Sequence, residues 1–187
     1  MKKIIVGITG ASGVIYGIRF LQETQKIKEI ETHLIITPDG EKTIKIETKF
    51  SPDEVKKIAN FTYNISDLSA ALSSGSFITD GMVIIPCTIK TLSAIANSYN
   101  SNLLTRAADV TLKEGRTLIA LPRETPLHKG HLLTMLRFCE IGGVLIPPFP
   151  AFYHKPKTID DIINQTIGKV LDRLKIKNNL FKRWGNN

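Results

Sequence analysis

Short apolar runs alternate with amphipathic stretches along the chain. Residues 4–8 and 81–86 are uninterrupted apolar runs rich in β-branched side chains, which is typical of strands buried on both faces of a parallel sheet. Residues 32–36, 117–121 and 144–146 predict three further strands.

Helical spacing of apolar residues fills the intervals between these strands. Residues 14–21, 103–113 and 128–140 predict helices, and a longer apolar stripe predicts a helix from Thr158 to about residue 174. A further helix start is predicted at Ser51, because proline and two acids follow it; this helix continues to about residue 59.

The repeated order of strand then helix predicts a three-layer α/β/α sandwich around a Rossmann- or flavodoxin-like parallel sheet. A single domain over residues 1–187 is expected, with a basic tail at about 176–187. Residues 37–40 predict a turn. Residues 62–80, rich in serine, predict short helix and loop and are a candidate for a mobile flap.

A turn of small residues follows the first predicted strand. Thr9, Gly10, Ala11, Ser12 and Gly13 carry no side chain larger than a hydroxyl or methyl group beyond Cβ, so their backbone amides can approach a ligand where the next helix begins. Amides and the positive end of a helix dipole favour a phosphate. The glycine spacing differs from the dinucleotide fingerprint G-x-G-x-x-G, and a tight turn without a ligand is the alternative.

A second turn rich in hydroxyl groups follows the strand at 81–86. It contains Cys87, Thr88 and Thr91, and a helix with Leu92 and Ile95 on one face comes next. In a doubly wound sheet such turns meet at the carboxyl ends of the strands, where ligands bind. Cys87 has no histidine or acid beside it in the sequence, which favours a small buried residue over a nucleophile.

Composition narrows the class of ligand and the compartment. The net charge is +8, but the basic residues are spread out and form no aromatic-studded stripe, which favours small anionic molecules over nucleic acid. Two distant cysteines indicate no disulfide framework or zinc site and favour a reducing compartment. With neither a cleavable signal pattern nor a membrane-spanning apolar run, a cytoplasmic protein is expected.

Five segments together resemble the flavin prenyltransferase family. They are GITGASG at 7–13, SGSFITDGMVIIPCTIKTLS at 74–93, NLLTRAADVTLKEGR at 102–116, PRETPLHKGHL at 122–132 and PPFPAFYHKP at 147–156. The resemblance runs from residue 2 to about 175, and RWG at 183–185 also fits. Several long motifs in the same order make coincidence improbable.

The resemblance implies an enzyme that joins the dimethylallyl group of dimethylallyl phosphate to N5 and C6 of reduced FMN without a metal. It also implies a homo-oligomer, a dodecamer in the family. The product, prenylated FMN, would serve a partner decarboxylase of ubiquinone or aromatic-acid metabolism.

The family pattern also implies roles for particular residues. The flavin would contact Gly10, Ala11, Ser12, Thr37, Thr88, Ile89, Lys90, Thr91 and Arg123. Catalysis would involve Ser12, Glu47 and Glu124. The donor would contact Arg106, Lys113, Tyr153, Lys169 and Trp184. Lys169 departs from the arginine common in relatives. An ammonium group offers the phosphate a single point charge, whereas a guanidinium group offers two parallel N–H donors.

Each role has a plainer alternative. Thr37 would be a capping hydroxyl, Lys169 part of a solvated helix face, and Trp184 an apolar anchor of the tail to another subunit. Arg123 and Glu124 would form a weak surface ion pair.

Other functions of the same fold also remain open. One is an FMN-dependent cysteine decarboxylase, although the second turn and the cationic set favour the prenyltransferase. Another is a non-catalytic subunit that delivers FMN to a decarboxylase. An NAD-dependent dehydrogenase is disfavoured by the glycine spacing.

Overall fold

One parallel sheet runs through the protein, with helices on both of its faces. A computed structural model describes residues 1–185. The strands within this range are β1 (Lys2–Ile8), β2 (Ile30–Ile36), β3 (Phe61–Tyr63), β4 (Gly81–Cys87), β5 (Thr117–Pro122) and β6 (Val144–Leu145). The helices are α1 (Val14–Gln25), α2 (Pro38–Glu47), α3 (Pro52–Lys56), α4 (Ile89–Ala96), α5 (Leu103–Lys113), α6 (Lys129–Glu140) and α7 (Ile159–Arg173), with a short 3-10 helix at Ala71–Ser73.

The strand order is β3-β2-β1-β4-β5-β6, and every neighbouring pair is parallel. The chain builds outward from β1 to β3 and then returns to the other side of β1 to build β4 to β6. This is the doubly wound order of a Rossmann-like sheet, with its switch point between β1 and β4. The predicted α/β/α sandwich is confirmed, and its ligand crevice is expected where β1 and β4 end.

Each face of the sheet has its own apolar core. On one face α1 and α7 cover Ile4, Val6 and Ile8. On the other face α4 and α5 cover Ile5 and Ile84. Alternate residues of β1 thus point into different cores, which explains why the strand is an uninterrupted apolar run.

Three local expectations differ from the structure. The predicted turn at 37–40 is the start of α2, because Thr37 caps the helix by accepting a hydrogen bond from the Gly40 amide at 3.0 Å and Pro38 occupies the first helical position. The helix after Ser51 ends at Lys56, although its predicted cap is present. The edge strand β3 lies where loop was expected.

The serine-rich segment before β4 is fastened to the rest of the fold. The Arg116 guanidinium donates to the carbonyls of Gly75 and Phe77 at 2.8 and 3.0 Å, and the Asp80 carboxylate accepts from the Lys3 amide at 2.8 Å. These contacts speak against a mobile flap in its second half. Among the helices of residues 1–185, none combines the length and apolar character needed to cross a membrane.

Candidate functional site

A cavity of about 340 Å³ lies at the switch point of the sheet. Both turns singled out from the sequence contribute to it, together with the start of α2 and the cap of α5. Its volume is in the range of small-molecule sites. Its walls are formed by Thr9, Gly10, Thr37, Pro38, Asp39, Ile65, Thr88, Lys90, Thr91 and Asn102.

Thr9 joins the two turns. Its hydroxyl donates to the Pro86 carbonyl at 2.9 Å and accepts from the Thr88 amide at 2.9 Å, while its side chain is almost completely buried. The turn after β1 and the turn after β4 are therefore held as one unit. Thr9 was expected in the small-residue turn, but the sequence did not indicate that its hydroxyl group joins this turn to the second one.

The glycine turn presents free backbone amides. Among residues 1–185, no protein acceptor bonds the amides of Gly10, Ala11 or Ser12. Gly10 also packs closely against α2, since a Cβ at this position would lie 2.6 Å from the Cβ of Asp39. These features suit the binding of an oxyanion by backbone N–H groups.

Glu47 occupies the first amides of α1. Its carboxylate accepts from the Gly13 amide at 2.8 Å and from the Val14 amide at 3.3 Å. A carboxylate at a helix N-terminus is stabilised by the helix dipole. The negative charge at the start of α1 is thus supplied by the Glu47 carboxylate. The amides that remain open to a ligand are those of Gly10, Ala11 and Ser12. The contact also brings Glu47 to Gly13, the residue after Ser12.

The second turn is built by a threonine pair. Thr88 caps α4: its hydroxyl oxygen accepts from the Thr91 amide at 3.2 Å, and its O–H group donates to the Thr91 hydroxyl at 3.0 Å. Thr88, Lys90 and Thr91 line the cavity, whereas Ile89 does not. Thr37 has the capping role described as its plainer alternative and also lines the cavity.

Arg123 and Glu124 follow the neighbouring strand β5. The Arg123 amide donates to the carbonyl of Cys87 at 3.2 Å, which puts the pair beside the second turn. Both side chains are exposed, and they form no ion pair with each other. Burial raises the pKa of the adjacent Cys87 thiol far above its ordinary range, so this thiol is a poor nucleophile.

Arg106 and Lys113 are not brought to the cavity of their own chain. The Arg106 guanidinium bonds the Ser73 carbonyl and the Asp109 carboxylate, both at 3.1 Å. Lys113 pairs with Glu114 at the end of α5. It lies about 16 Å beyond the helix cap Asn102, at 1.5 Å per residue.

Tyr153 and Trp184 meet at a second cavity. Their rings are in edge-to-face contact with centroids 5.6 Å apart, and both line a space of about 400 Å³. Arg183 donates two hydrogen bonds of 2.7 Å to Asp172 of α7, which ties the tail to that helix. Lys169 is exposed on the same helix and does not line this cavity. The Arg183 guanidinium lowers the pKa of the Asp172 carboxyl.

The predicted residues therefore form two groups. Five of the nine predicted flavin residues line the cavity where β1 and β4 end, namely Gly10, Thr37, Thr88, Lys90 and Thr91, whereas Ala11, Ser12, Ile89 and Arg123 do not. Of the donor group, Tyr153 and Trp184 line the cavity at the tail, and Lys169 does not. Within residues 1–185 there is no cluster of three or more histidine, cysteine or acidic side chains that could hold a metal.

Comparison with known proteins shows which protein family this chain resembles. The Flavoprotein family model matches residues 1–171. The flavin prenyltransferase UbiX of Escherichia coli K12 is 54% identical over 186 residues, which cover 98% of either chain.

Two solved structures share the fold and much of the sequence. A dodecameric FMN-dependent UbiX-like decarboxylase from E. coli O157:H7 has a TM-score of 0.96 at 44% identity, covering 98% of this chain and all of that one. AnUbiX (PadA1), solved with FMN and dimethylallyl pyrophosphate, has a TM-score of 0.97 at 43% identity, covering 99% and 98%.

Proposed function

The chain belongs to the Flavoprotein family as a flavin prenyltransferase, and we propose that it transfers a dimethylallyl group from dimethylallyl phosphate to N5 and C6 of reduced FMN. The observation that carries this proposal is the cavity between the turns after β1 and β4, where free amides and hydroxyl groups surround a space of small-molecule size. The bond from Thr9 to Thr88 keeps this cavity formed in the folded chain.

The flavin phosphate would be bound by the amides of Gly10, Ala11 and Ser12 and by hydroxyl groups across the cavity. Backbone donors suit this task because they are fixed by the fold and need no ordering on binding. Arg123 would add a positive charge beside the second turn. The free amides of the glycine turn support binding of the FMN phosphate there, and reduced FMN would supply the nucleophilic atoms.

The departing phosphate would be stabilised by the cationic and aromatic group at the tail. Negative charge develops on the phosphate oxygens as the allylic carbon–oxygen bond breaks, so fixed positive groups and donors lower the barrier. Lys169 would supply charge and Tyr153 a donor. Trp184, in contact with Tyr153, would cover the prenyl group and exclude water.

Arg106 and Lys113 would act in the site of a neighbouring copy. Lys113 lies at the far end of α5 from the cavity of its own chain, and a relative with a TM-score of 0.96 is described as dodecameric. We propose a homo-oligomer in which these cations complete the donor site across an interface.

Proton movements would involve Ser12, Glu47 and Glu124. Alkylation of an N–H group releases a proton, and a nearby carboxylate can take it up. Glu47 supports such a role because its carboxylate bonds Gly13, the residue after Ser12. Independence from a metal and a recipient decarboxylase remain predictions of the family resemblance, and a cytoplasmic location remains a prediction from the cysteine content and the apolar pattern of the sequence.

Mass spectrometry of the flavin tests the proposal. Purified protein is incubated anaerobically with reduced FMN and dimethylallyl phosphate, and the flavin is released and weighed. We expect a flavin heavier by one prenyl unit, and no mass change when the donor is omitted. An unchanged flavin mass with folded, FMN-loaded protein would contradict the proposal.

A further inference from the structure

Helix α6 carries a second apolar face that residues 1–185 leave uncovered. Its inner face packs on α4 and on one core of the sheet, and Phe138 is its buried residue. On the other side of the helix Leu132, Leu133 and Leu136 are 53%, 54% and 54% exposed. Helices that are apolar on opposite sides are normally covered on both, so a further partner is expected here.

The exposed face runs along the whole helix and ends in opposite charges. At 3.6 residues per turn, five exposed residues fall on one stripe about 100° wide, opposite Phe138. We call them the α6 stripe: Lys129, Leu132, Leu133, Leu136 and Glu140. Within residues 1–185, neither Lys129 nor Glu140 forms an ion pair.

The α6 stripe has the composition of a protein interface. Single exposed leucines are ordinary, but contiguous apolar patches with a polar rim mark interaction sites. The leucines form the centre of the stripe, and the two charges lie at its ends. Leu127 and Ile141, 40% and 39% exposed, extend the apolar surface just beyond the helix at each end.

The order of residues along the stripe is self-complementary. When two copies of α6 pack antiparallel about an axis between residues 134 and 135, Leu133 faces the partner's Leu136 and Lys129 faces the partner's Glu140. Each such contact contains two ion pairs around an apolar centre. Parallel packing would instead bring Lys129 beside the partner's Lys129, where like charges repel. The stripe therefore fits a second copy of itself that runs in the opposite direction.

We propose that the α6 stripe is a two-fold interface between copies of this chain. This inference rests on the homo-oligomer of the proposed function and adds to it the surface through which copies meet. Assemblies of tetrahedral or dihedral symmetry contain two-fold axes, and at each such axis a surface can meet its own copy. A relative with a TM-score of 0.96 is described as dodecameric, a number of copies that both symmetries allow.

The size of the stripe indicates that it acts together with other contacts. A helix of 12 residues is about 18 Å long and about 10 Å wide, so its footprint is well below the roughly 800 Å² per partner of a stable dimer. The interface is therefore one contact of a larger assembly. Weakening it is expected to divide that assembly at its two-fold axes.

Charge reversal tests the antiparallel pairing. The mass of the FMN-loaded protein is followed by light scattering over a dilution series. Lys129→Glu and Glu140→Lys each bring like charges together across the axis, so we expect each variant to dissociate at a protein concentration about tenfold or more above that of the wild type. The double variant K129E/E140K restores opposite charges and should assemble as the wild type does. Wild-type assembly in both single variants, or no recovery in the double variant, would overturn the inference.

Leu136→Asp removes the apolar centre of the stripe. Because the side chain is more than half exposed, we expect an unchanged circular dichroism spectrum and FMN content but a smaller assembly. Leu68→Asp is the matched control, since Leu68 is 50% exposed but lies in the loop before the 3-10 helix. Full assembly of Leu136→Asp would show that the stripe is left free for a different partner, and an equal loss in the control would show that the effect is not specific to α6; either result would overturn the inference.

The proposed function fails by a different measurement. A wild-type protein that is monomeric refutes the inference, whatever its activity. An oligomeric wild-type protein that leaves the flavin mass unchanged refutes the prenyl transfer and leaves the interface standing.

Discussion

The hydroxyl group of Thr9 accepts a hydrogen bond from the backbone amide of Thr88 at 2.9 Å, across the switch point of the sheet. The same hydroxyl donates to Pro86, the residue before Cys87 at the end of β4. The Thr9 side chain, which belongs to the first turn, thus satisfies the Pro86 carbonyl and the Thr88 amide next to the second turn. The shape of the cavity consequently depends on a residue that is almost completely buried.

Replacing Thr9 by valine should lower both stability and flavin affinity. Valine keeps the volume but leaves the Thr88 amide without its acceptor, which costs about 1–3 kcal/mol when a buried donor is unsatisfied. Urea unfolding without flavin measures the first effect, and FMN titration measures the second. Thr24→Val is the control, because the Thr24 hydroxyl bonds carbonyls of its own helix. Equal loss of FMN affinity in both variants would contradict the role given to Thr9.

Replacing Glu47 by glutamine should reduce turnover more than flavin binding. The amide oxygen of glutamine can still accept from Gly13, but it cannot take up a proton, so we expect a rate loss of about 100-fold or more at similar FMN affinity. Single-turnover kinetics and flavin titration separate these quantities. Glu41→Gln serves as the comparison, since Glu41 lies on the same helix and pairs with Lys56 at 2.6 Å. A full-rate Glu47→Gln enzyme would remove Glu47 from the chemistry.

Glu124→Gln distinguishes an enzyme from a flavin-carrying subunit. The Glu124 carboxylate accepts only from the amide of Thr125 at 3.1 Å within the described chain, so the substitution disturbs few structural contacts. We expect normal folding and FMN content with at least about a tenfold loss of turnover. The assay is the released flavin mass over time. Undiminished turnover would show that the carboxylate has no part in the reaction.

Lys169→Arg should strengthen donor binding. Arginine offers a planar pair of donors that matches a phosphate, whereas lysine offers a point charge. A KM for dimethylallyl phosphate several-fold lower, with little change in kcat, is the expected result of steady-state measurements. Lys177→Arg provides a control on the exposed tail. If both variants behave alike, Lys169 belongs to a solvated helix face.

Acid should release the tail from α7. The Arg183 guanidinium lowers the pKa of the Asp172 carboxyl from its ordinary value of 3.8, so the contact contributes fully above that pH and is lost as the pH falls through the lower value of the folded state. Trp184 fluorescence should therefore change below pH 3.8. Asp172→Asn should show the altered signal already at neutral pH. Asp160→Asn, which breaks a different ion pair with Arg19, should not.

Most strands and helices could be predicted because their apolar spacing is strong. Helix α5 has the predicted bounds, and β1 and β4 contain the predicted apolar runs. The edge strand β3 was not predictable, since three residues carry little periodic signal and the strand depends on distant partners. Those partners lie on β2: the His33 ring stacks on Phe61 with a centroid distance of 5.1 Å, and it lies within hydrogen-bonding distance of the Tyr63 hydroxyl at 2.9 Å.

The candidate site was predictable only where a local motif marks it. The turns at Gly10 and Thr88 are visible from small residues and hydroxyl groups directly after strands. Glu47 would pass as a solvated charge, because its contact with Gly13 spans 34 positions of sequence.

Helix α2 contacts the turn after β1 with both of its ends. Its cap Thr37 lines the cavity, and Asp39 packs closely against Gly10. The carboxylate of its last residue, Glu47, accepts a hydrogen bond from the Gly13 amide at the start of α1. The helix is 10 residues long, or about 15 Å. Because both contacts are made by one helix, we expect a ligand that displaces its first turn in the cavity to change the direction of the Glu47 carboxylate as well.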